Sequence, residues 1–158
     1  MRKLFLALAV AGSLAIMAPA VLAGAGPRLA GTFDVTGTIK DNDFGIPPDT
    51  KTPDVFKFTS KCKSGGCKRV KLDRDGGDHS HYKSTLQKVK RGVYRGTEGP
   101  YPYKCPDNAN STFTAQHTVR VSKTKNGKAT AFTGSSKVKI ANCDFASFVN
   151  YSLSGKLR

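Results

Sequence analysis

The sequence contains no tryptophan and only one glutamate, Glu98, among its 158 residues. Because glutamate is a common and favourable helix residue, its scarcity argues against a helix-rich fold, and no window has the periodicity of an amphipathic helix. After residue 23 the chain also lacks an apolar run of the roughly 20 residues that a membrane-spanning helix needs. These absences leave an all-β domain as the first expectation.

The sequence motifs of common enzyme classes are missing as well. The chain has no Gly-x-Ser-x-Gly elbow, no phosphate-binding P-loop and no His-Glu-x-x-His metal motif. General acid–base catalysis needs titratable groups held in a cleft, whereas most aspartates of this chain lie in turn-like sequence. We therefore predict that the protein is not an enzyme and has no catalytic residue, and a secreted hydrolase is the least favoured function.

Neither a cofactor nor a metal site is predicted from the sequence. The nearest approach to a metal-binding pattern is the pair His79 and His81, which are two residues apart in an extended segment beside Asp78. The third or fourth ligand of a typical metal site is not evident. We therefore interpret this segment as a solvated strand entrance.

The first 23 residues have the composition of a secretory signal peptide. Arg2 and Lys3 provide a positive start, residues 4–17 are uncharged and mainly apolar, and small residues precede a cleavage site after Ala23. Cleavage there would leave residues 24–158 as one secreted domain and lower the formal charge from +15 to +13. We therefore expect an extracellular protein with no transmembrane segment after cleavage.

All four cysteines lie in the predicted secreted domain. An even number of cysteines in an exported chain favours disulfide bonds. The alternative is a four-cysteine zinc site, but there the two cysteines of a pair are usually separated by two residues, a spacing that this chain lacks. Cys62 and Cys67 flank a glycine-rich hairpin loop that would hold them at disulfide distance. This predicts Cys62–Cys67 and, by elimination, Cys105–Cys143. On a chain-entropy estimate the second bond contributes roughly 3–4 kcal/mol.

From Gly31 onward the chain alternates between apolar and polar residues with a period of two, which is typical of half-buried β-strands. Turn sequences such as Asn126-Gly127 separate these segments. We count about eight strands joined by hairpin-like connections. This predicts an all-β fold in which antiparallel strands form an up-and-down barrel that can hold one small ligand, with a two-sheet β-sandwich as the alternative.

The start of the first strand, Leu29-Ala30-Gly31-Thr32-Phe33, resembles the corresponding segment of the lipocalin and calycin barrels. Lipocalins carry Gly-x-Trp at this place, and Phe33 stands where the tryptophan would be. The arginine that packs over this tryptophan in the family has no clear match here. The resemblance, which extends to small secreted bacterial β-domains, implies a barrel fold and an internal ligand cavity but no reaction.

His117 is the most notable polar residue of the clearest predicted strand. It lies on the apolar face between Ala115 and Val119, so a barrel would place it inside the ligand cavity. Phe113 and Tyr82 would be part of the same lining, because small-ligand sites combine apolar walls with a few polar groups. The alternative for His117 is a hydrogen-bonded core residue, which is the more common arrangement.

The segment from Glu98 to Ser111 is predicted to be the longest connection of the chain, because prolines, glycine and asparagines dominate it. Tyr101 and Tyr103 are two residues apart in this segment and could present both rings to a partner. Alternatively, the two tyrosines only cap one end of the barrel. The candidate ligand-binding residues are Tyr82, Tyr101, Tyr103, Phe113 and His117.

Positive charge is the strongest compositional feature, with 26 Lys and Arg residues against 11 Asp and Glu residues. These residues fall on polar strand faces and turns, where they would form a basic coat able to attract polyanions. Nucleic acid is not expected as the physiological partner of an exported protein, whereas anionic extracellular polymers or surfaces are. The candidate polyanion-binding residues are Lys83, Lys88, Lys90, Arg91, Arg95, Arg120 and Lys123.

The leading hypothesis is therefore a secreted, monomeric and non-enzymatic β-barrel that holds a small ligand or adheres to an anionic extracellular polymer or surface. The second hypothesis is a disulfide-stabilised inhibitor or protein-interaction module that presents the Tyr101–Asn110 segment as a loop. A simple solubilising role of the charge is the alternative to polyanion binding.

Overall fold

The computed structural model describes residues 26–62, 65–75, 80–143 and 147–158. The predicted signal peptide lies outside these residues. Eight β-strands make up the regular structure that is described. Their bounds are β1 Gly31–Asn42, β2 Lys51–Thr59, β3 Arg69–Asp75, β4 His81–Lys90, β5 Val93–Lys104, β6 Asn110–Lys125, β7 Lys128–Ala141 and β8 Phe148–Leu157. No helix long and apolar enough to cross a membrane occurs among the described residues.

Each strand pairs antiparallel with the next, and β8 pairs with β1, so that the sheet closes into a barrel. The predicted all-β class and the up-and-down barrel are confirmed, and the alternative β-sandwich is wrong. The Asn126-Gly127 turn between β6 and β7 has positive φ angles of 51° and 73°, the conformation that favours this residue pair in tight hairpins.

One half of the barrel, here called the packed end, is filled with side chains. The rings of Phe33, Phe58 and Phe132 lie with their centroids 5.4 to 5.6 Å apart, mostly in edge-to-face or tilted contacts. Gly155 makes room for this cluster, since a Cβ atom there would lie 2.2 Å from the Phe132 ring. Leu29 adds a fully buried side chain from the segment that precedes β1.

The opposite half of the barrel, here called the cavity end, is where β1, β3, β5 and β7 end and the next strands begin. Asp43, which follows β1, holds the start of β8, because its carboxylate accepts hydrogen bonds from Ser147 N, Ser147 Oγ and Phe148 N. These hydrogen bonds, with that from Phe148 N foremost, hold the pKa of Asp43 below its usual value.

Both predicted disulfide bonds are present. Cys62–Cys67 closes the β2–β3 connection at the packed end, with a Cα–Cα distance of 5.6 Å. Cys105–Cys143 joins the β5–β6 turn to the β7–β8 connection at the cavity end, with a Cα–Cα distance of 5.7 Å. The two bonds thus constrain opposite ends of the barrel.

The predicted long connection from Glu98 to Ser111 is wrong. β5 continues through Tyr101 and Tyr103 to Lys104, and only Cys105–Ala109 forms a turn. The prolines and glycine of this segment occupy a bulge between Glu98 and Tyr101, with a cis Gly99–Pro100 bond, instead of ending the strand. Proline is tolerated at edges and bulges, and the β4–β5 ladder is limited to three pairs near the packed end.

Candidate functional site

A cavity of about 590 Å³ occupies the cavity end of the barrel. This volume lies within the range of small-molecule sites, which is roughly 300–1,000 Å³. Its apolar walls come from the ends of β7 and β8 and from the connection after β1, including Phe44, Ile46, Val138, Ile140 and Val149. Aromatic rings and a group of charged side chains complete the lining. The cavity therefore combines apolar and aromatic walls with several polar and charged side chains.

Two acidic and two basic side chains lie inside the barrel because they continue the inward phase of strands whose other inward residues are mostly apolar. Asp54 precedes buried Phe56 by two residues, and Arg74 follows buried Leu72 by two residues. Glu98 and His117 are inward residues of β5 and β6 and are themselves buried. The alternation of residues along each strand thus places an ionic cluster, Asp54, Arg74, Glu98 and His117, in the interior.

Arg74 connects the two carboxylates of the ionic cluster. Its Nε and Nη2 atoms donate to Oε1 of Glu98 at 3.1 and 2.7 Å, and its Nη1 atom donates to Oδ2 of Asp54 at 3.0 Å. Its guanidinium carbon lies 4.6 Å from the centroid of the Tyr82 ring, a cation–π distance. Three of the five guanidinium N–H groups are therefore used within the cluster.

His117 is the least satisfied member of the ionic cluster. Its Nε2 atom lies 3.2 Å from Oε2 of Glu98, but the two groups are not aligned for a hydrogen bond. Neither nitrogen of this buried ring has an aligned hydrogen-bond partner among the described residues. The ring packs edge-on against Phe56, with the centroids 5.8 Å apart. A buried polar group without a partner is costly, so this position is poised to accept or donate a further hydrogen bond.

The two carboxylates of the ionic cluster differ in electrostatic environment. Burial tends to raise the pKa of Glu98, but the contacts with His117 and Arg74 outweigh it and lower the pKa. Burial also raises the pKa of Asp54, and here the attraction of Arg74 does not offset the burial and the repulsion by Glu98. Asp54 is therefore the carboxylate whose negative charge is less well compensated.

An aromatic cluster covers one side of the cavity. The ring of Tyr82 lies 5.0 Å from that of Tyr101 and 5.2 Å from that of Phe113, and the ring of Tyr103 lies 6.4 Å from that of Phe113. The Tyr101 hydroxyl donates to the carbonyl of Lys83 and accepts from its N–H, at 2.9 and 2.8 Å. Tyr101 thus bridges β4 and β5 beyond their short ladder and supports this wall.

The structure brings the five predicted ligand-binding residues into one region. Tyr82, Tyr103, Phe113 and His117 line the cavity, and Tyr101 contacts two of these rings. That they bind a ligand stays a prediction. The sequence interpretation missed Asp54, Arg74, Glu98 and Tyr151, which complete the lining or the cluster beneath it. For Asp54 and Arg74, the signal was the alternation of inward and outward residues. Continued by one step beyond the apolar residues of β2 and β3, this alternation predicts that both side chains face inward.

The predicted polyanion-binding residues are distributed over the outer surface. Lys83, Arg95, Arg120 and Lys123 are exposed on strands β4, β5 and β6. Lys90 and Arg91 are exposed at the β4–β5 turn, whereas Lys88 is half-buried and its Nζ donates to the carbonyl of Gly66 at 3.4 Å. The outer surface of β3 and β4 is less uniformly positive than that of β5 to β8, because Asp73 stands directly opposite Lys83 in the ladder.

No group of three or more His, Cys, Asp or Glu side chains that could hold a metal ion is found within the described ranges. Asp78 and His79 lie outside these ranges. His81 has a different partner, since its Nδ1 atom lies 3.0 Å from Oδ1 of Asp73 at the surface.

Comparisons of the chain with protein-family models, with curated proteins and with solved structures found no match. The resemblance to lipocalins therefore stays a prediction that rests on the Gly31–Phe33 segment. The geometry of the cavity and the surface charge are therefore the features of this protein that bear on its function.

Proposed function

We propose that this protein is a secreted, non-enzymatic β-barrel that binds a small molecule in the cavity. The observation that carries the proposal is the cavity of about 590 Å³ with apolar and aromatic walls above a buried ionic cluster. A solvent-accessible space of this volume, lined by apolar and aromatic side chains with polar and charged groups at one side, has the usual form of a small-ligand site.

The two disulfide bonds support the secreted part of this proposal, because such bonds persist in oxidising compartments. The barrel topology also agrees with the expectation from the lipocalin resemblance. We keep that family assignment as a proposal.

A hydrolase is less well supported by the same geometry. Ser136, opposite His117 in the β6–β7 ladder, is a hydroxyl that lines the cavity. However, in the described part of the chain neither nitrogen of His117 has an aligned hydrogen bond, so the geometry does not support activation of this hydroxyl by the imidazole. Arg74 and Glu98 are engaged with each other. We therefore propose binding and no catalysis.

The test uses N-phenyl-1-naphthylamine, an uncharged fluorescent probe whose emission increases in apolar surroundings. We expect saturable binding to the protein and at least ten-fold weaker binding to the variant Val138→Trp, because Val138 lines the cavity and a larger side chain would fill it. Val89→Trp is the matched control, since Val89 is 51% exposed. Absence of saturable binding, or equal affinities of the two variants, would contradict the proposal.

A second candidate function, adhesion to anionic extracellular polymers, is favoured by a separate observation on the outer surface. Among the described residues of β5 to β8, the only carboxylate is that of Glu98, which is buried inside the barrel. The exposed cations on these strands are Arg95, Lys104, Arg120, Lys123, Lys125, Lys128, Lys137, Lys139 and Lys156. An extended surface of one sign attracts polyanions.

The positions of Tyr101 and Tyr103 do not support the alternative function of an inhibitor or protein-interaction module. That function required both residues in a projecting loop, whereas both lie in β5, where they contact other rings of the barrel.

A further inference from the structure

The charges inside the barrel balance only when His117 is protonated. Asp54 and Glu98 provide two carboxylates, and Arg74 provides the one guanidinium that contacts them among the described residues. The contact between Glu98 and His117 adds positive charge only if the imidazole is protonated. With a neutral imidazole the ionic cluster carries one surplus negative charge. Buried charges are costly unless they are paired, so in that state the interior favours the arrival of a cation.

The surplus charge meets the cavity at Asp54. Glu98 is fully enclosed, with a side-chain exposure of 0%, and it receives two of the three Arg74 hydrogen bonds. Asp54 receives only one of them, at Oδ2, while its Oδ1 accepts a hydrogen bond from Val55 N at 2.7 Å. Asp54 retains 17% exposure and lines the cavity. Burial, with the repulsion by Glu98, raises the pKa of Asp54 more than Arg74 and the Val55 N–H lower it.

The aromatic residues around this carboxylate suit a ligand with a positive head. Tyr82, Tyr103 and Tyr151 line the cavity, and Tyr82 already contacts the Arg74 guanidinium through its ring face. Aromatic faces attract organic cations, and the attraction increases when the cation is removed from water. The apolar remainder of the lining, such as Val138 and Ile140, would cover the body of such a ligand.

From this arrangement, which rests on the proposed binding function, we infer that the ligand is a small organic amine. Its protonated amino group would pair with Asp54, and its apolar or aromatic body would lie against the aromatic and aliphatic walls. The Nδ1 atom of buried His117, which has no hydrogen-bond partner among the described residues, could supply a further hydrogen bond. The amine would give the ionic cluster the positive charge that it lacks while His117 is neutral.

An anionic ligand fits this cavity less well. The Arg74 guanidinium is already shared between Glu98 and Asp54, so an anion approaching it would also meet the Asp54 carboxylate. Lys104 is a second cation of the lining, but it is exposed and its Nζ donates to the carbonyl of Asn108 at 3.3 Å, so water and salt screen its charge. The basic outer surface opposes the approach of a cation, but salt screens exposed charges beyond about 8 Å at physiological ionic strength.

The experiment measures binding of three compounds by isothermal titration at pH 7. These are 1-naphthylmethylamine, 1-naphthalenemethanol and 1-naphthoate, which share one ring system and differ in the charge of the head group. We expect the amine to bind at least ten-fold more tightly than the alcohol, and the carboxylate to bind more weakly than the alcohol. The amine preference should fall below about three-fold in Asp54→Asn, while the affinity for the alcohol is retained.

Asp34→Asn is the matched control, since it removes the same charge from an exposed carboxylate on the outer surface. The inference is overturned if the amine has no preference over the alcohol in the unmodified protein, or if Asp54→Asn retains the preference. The first comparison decides the matter even if the variant does not fold. If the alcohol and N-phenyl-1-naphthylamine bind but the amine is not preferred, only the inference fails. If neither uncharged compound binds, the proposed function itself fails.

Discussion

Arg74 is the residue on which the interior of the barrel depends most. Its side chain is 16% exposed, and its partner Glu98 is fully buried. A buried ion pair often contributes little net stability, because the loss of hydration offsets the attraction between the charges. Removing one partner is different, since it leaves the other charge buried without compensation. Arg74 is therefore required in order that Asp54 and Glu98 can remain inside the barrel.

We predict that Arg74→Met lowers the free energy of unfolding by roughly 3–5 kcal/mol, the usual cost of breaking a buried ion pair. The matched control is Arg158→Met. Arg158 contacts Asp34 at 2.7 Å, the same distance as in the Arg74–Glu98 pair, but these side chains are 53% and 65% exposed. The control should lose at most about 1 kcal/mol, as exposed pairs do. Urea denaturation measures both, and equal losses would refute the prediction.

At the scale of elements, the two disulfide bonds constrain loops of very different length. Cys62 and Cys67 are 5 residues apart, whereas Cys105 and Cys143 are 38 residues apart and join the β5–β6 turn to the β7–β8 connection. A crosslink restricts the unfolded chain more strongly when it closes a longer loop. Each pair also contains one buried cysteine, Cys67 or Cys105, so substitution by serine buries a similar hydroxyl in both.

We predict that the double variant Cys105→Ser/Cys143→Ser loses roughly 3–4 kcal/mol of unfolding free energy, against about 2 kcal/mol for Cys62→Ser/Cys67→Ser. Chemical denaturation of the two variants, with the unmodified protein as reference, gives both values. A loss for the short-loop variant that equals or exceeds that for the long-loop variant would show that loop entropy does not dominate.

At the scale of the whole molecule, charge is divided between the two faces of the barrel wall. The chain carries 26 basic and 11 acidic residues, yet two of the acidic residues, Asp54 and Glu98, face inward and contact Arg74. On the outer surface, Asp73 stands opposite Lys57 and Lys83 in the ladders of β2 to β4. On the outer faces of β5 to β8, only Lys156 has a carboxylate opposite it in the described ladders, that of Asp34 in β1.

We predict that the protein binds heparin, used as a polyanion probe, with an affinity that falls steeply with salt. The triple variant Arg95→Gln/Arg120→Gln/Lys137→Gln should reduce the slope of log affinity against log salt by roughly 2–3 units, by analogy with the counterion release known from DNA.

The matched control for this prediction is Lys57→Gln/Lys71→Gln/Lys83→Gln, which removes the same charge from the side where Asp73 lies. It should change the slope by less than about one unit. Affinity chromatography and titrations over a salt series provide the measurements. The polyanion hypothesis is abandoned if heparin does not bind at low salt, and the proposed location is wrong if both variants change the slope equally.

Local features of the sequence were sufficient to predict the fold class. The alternation around Phe33, Phe56 and Phe113 sets the inner face of the strands, because side chains on a strand point to opposite sides in turn. The Asn126-Gly127 turn and the Cys62–Cys67 hairpin are likewise encoded within a few residues. The Glu98–Ser111 segment was misinterpreted as a loop because of its prolines and glycine. These residues mark positions that lack a backbone donor or have an unusual φ angle, and such positions occur in bulges of a strand as well as in loops.

Apart from the second half of β5, the sequence by itself therefore determined the strands, the faces they bury and the disulfide pairing of this protein. Only the tertiary structure decided that Asp54, Arg74, Glu98 and His117, which come from four strands, meet inside one barrel below a cavity. The physical reason is that alternation sets the side of the sheet on which a residue lies, but register and closure set which residues face each other across the interior. Those quantities depend on all eight strands together.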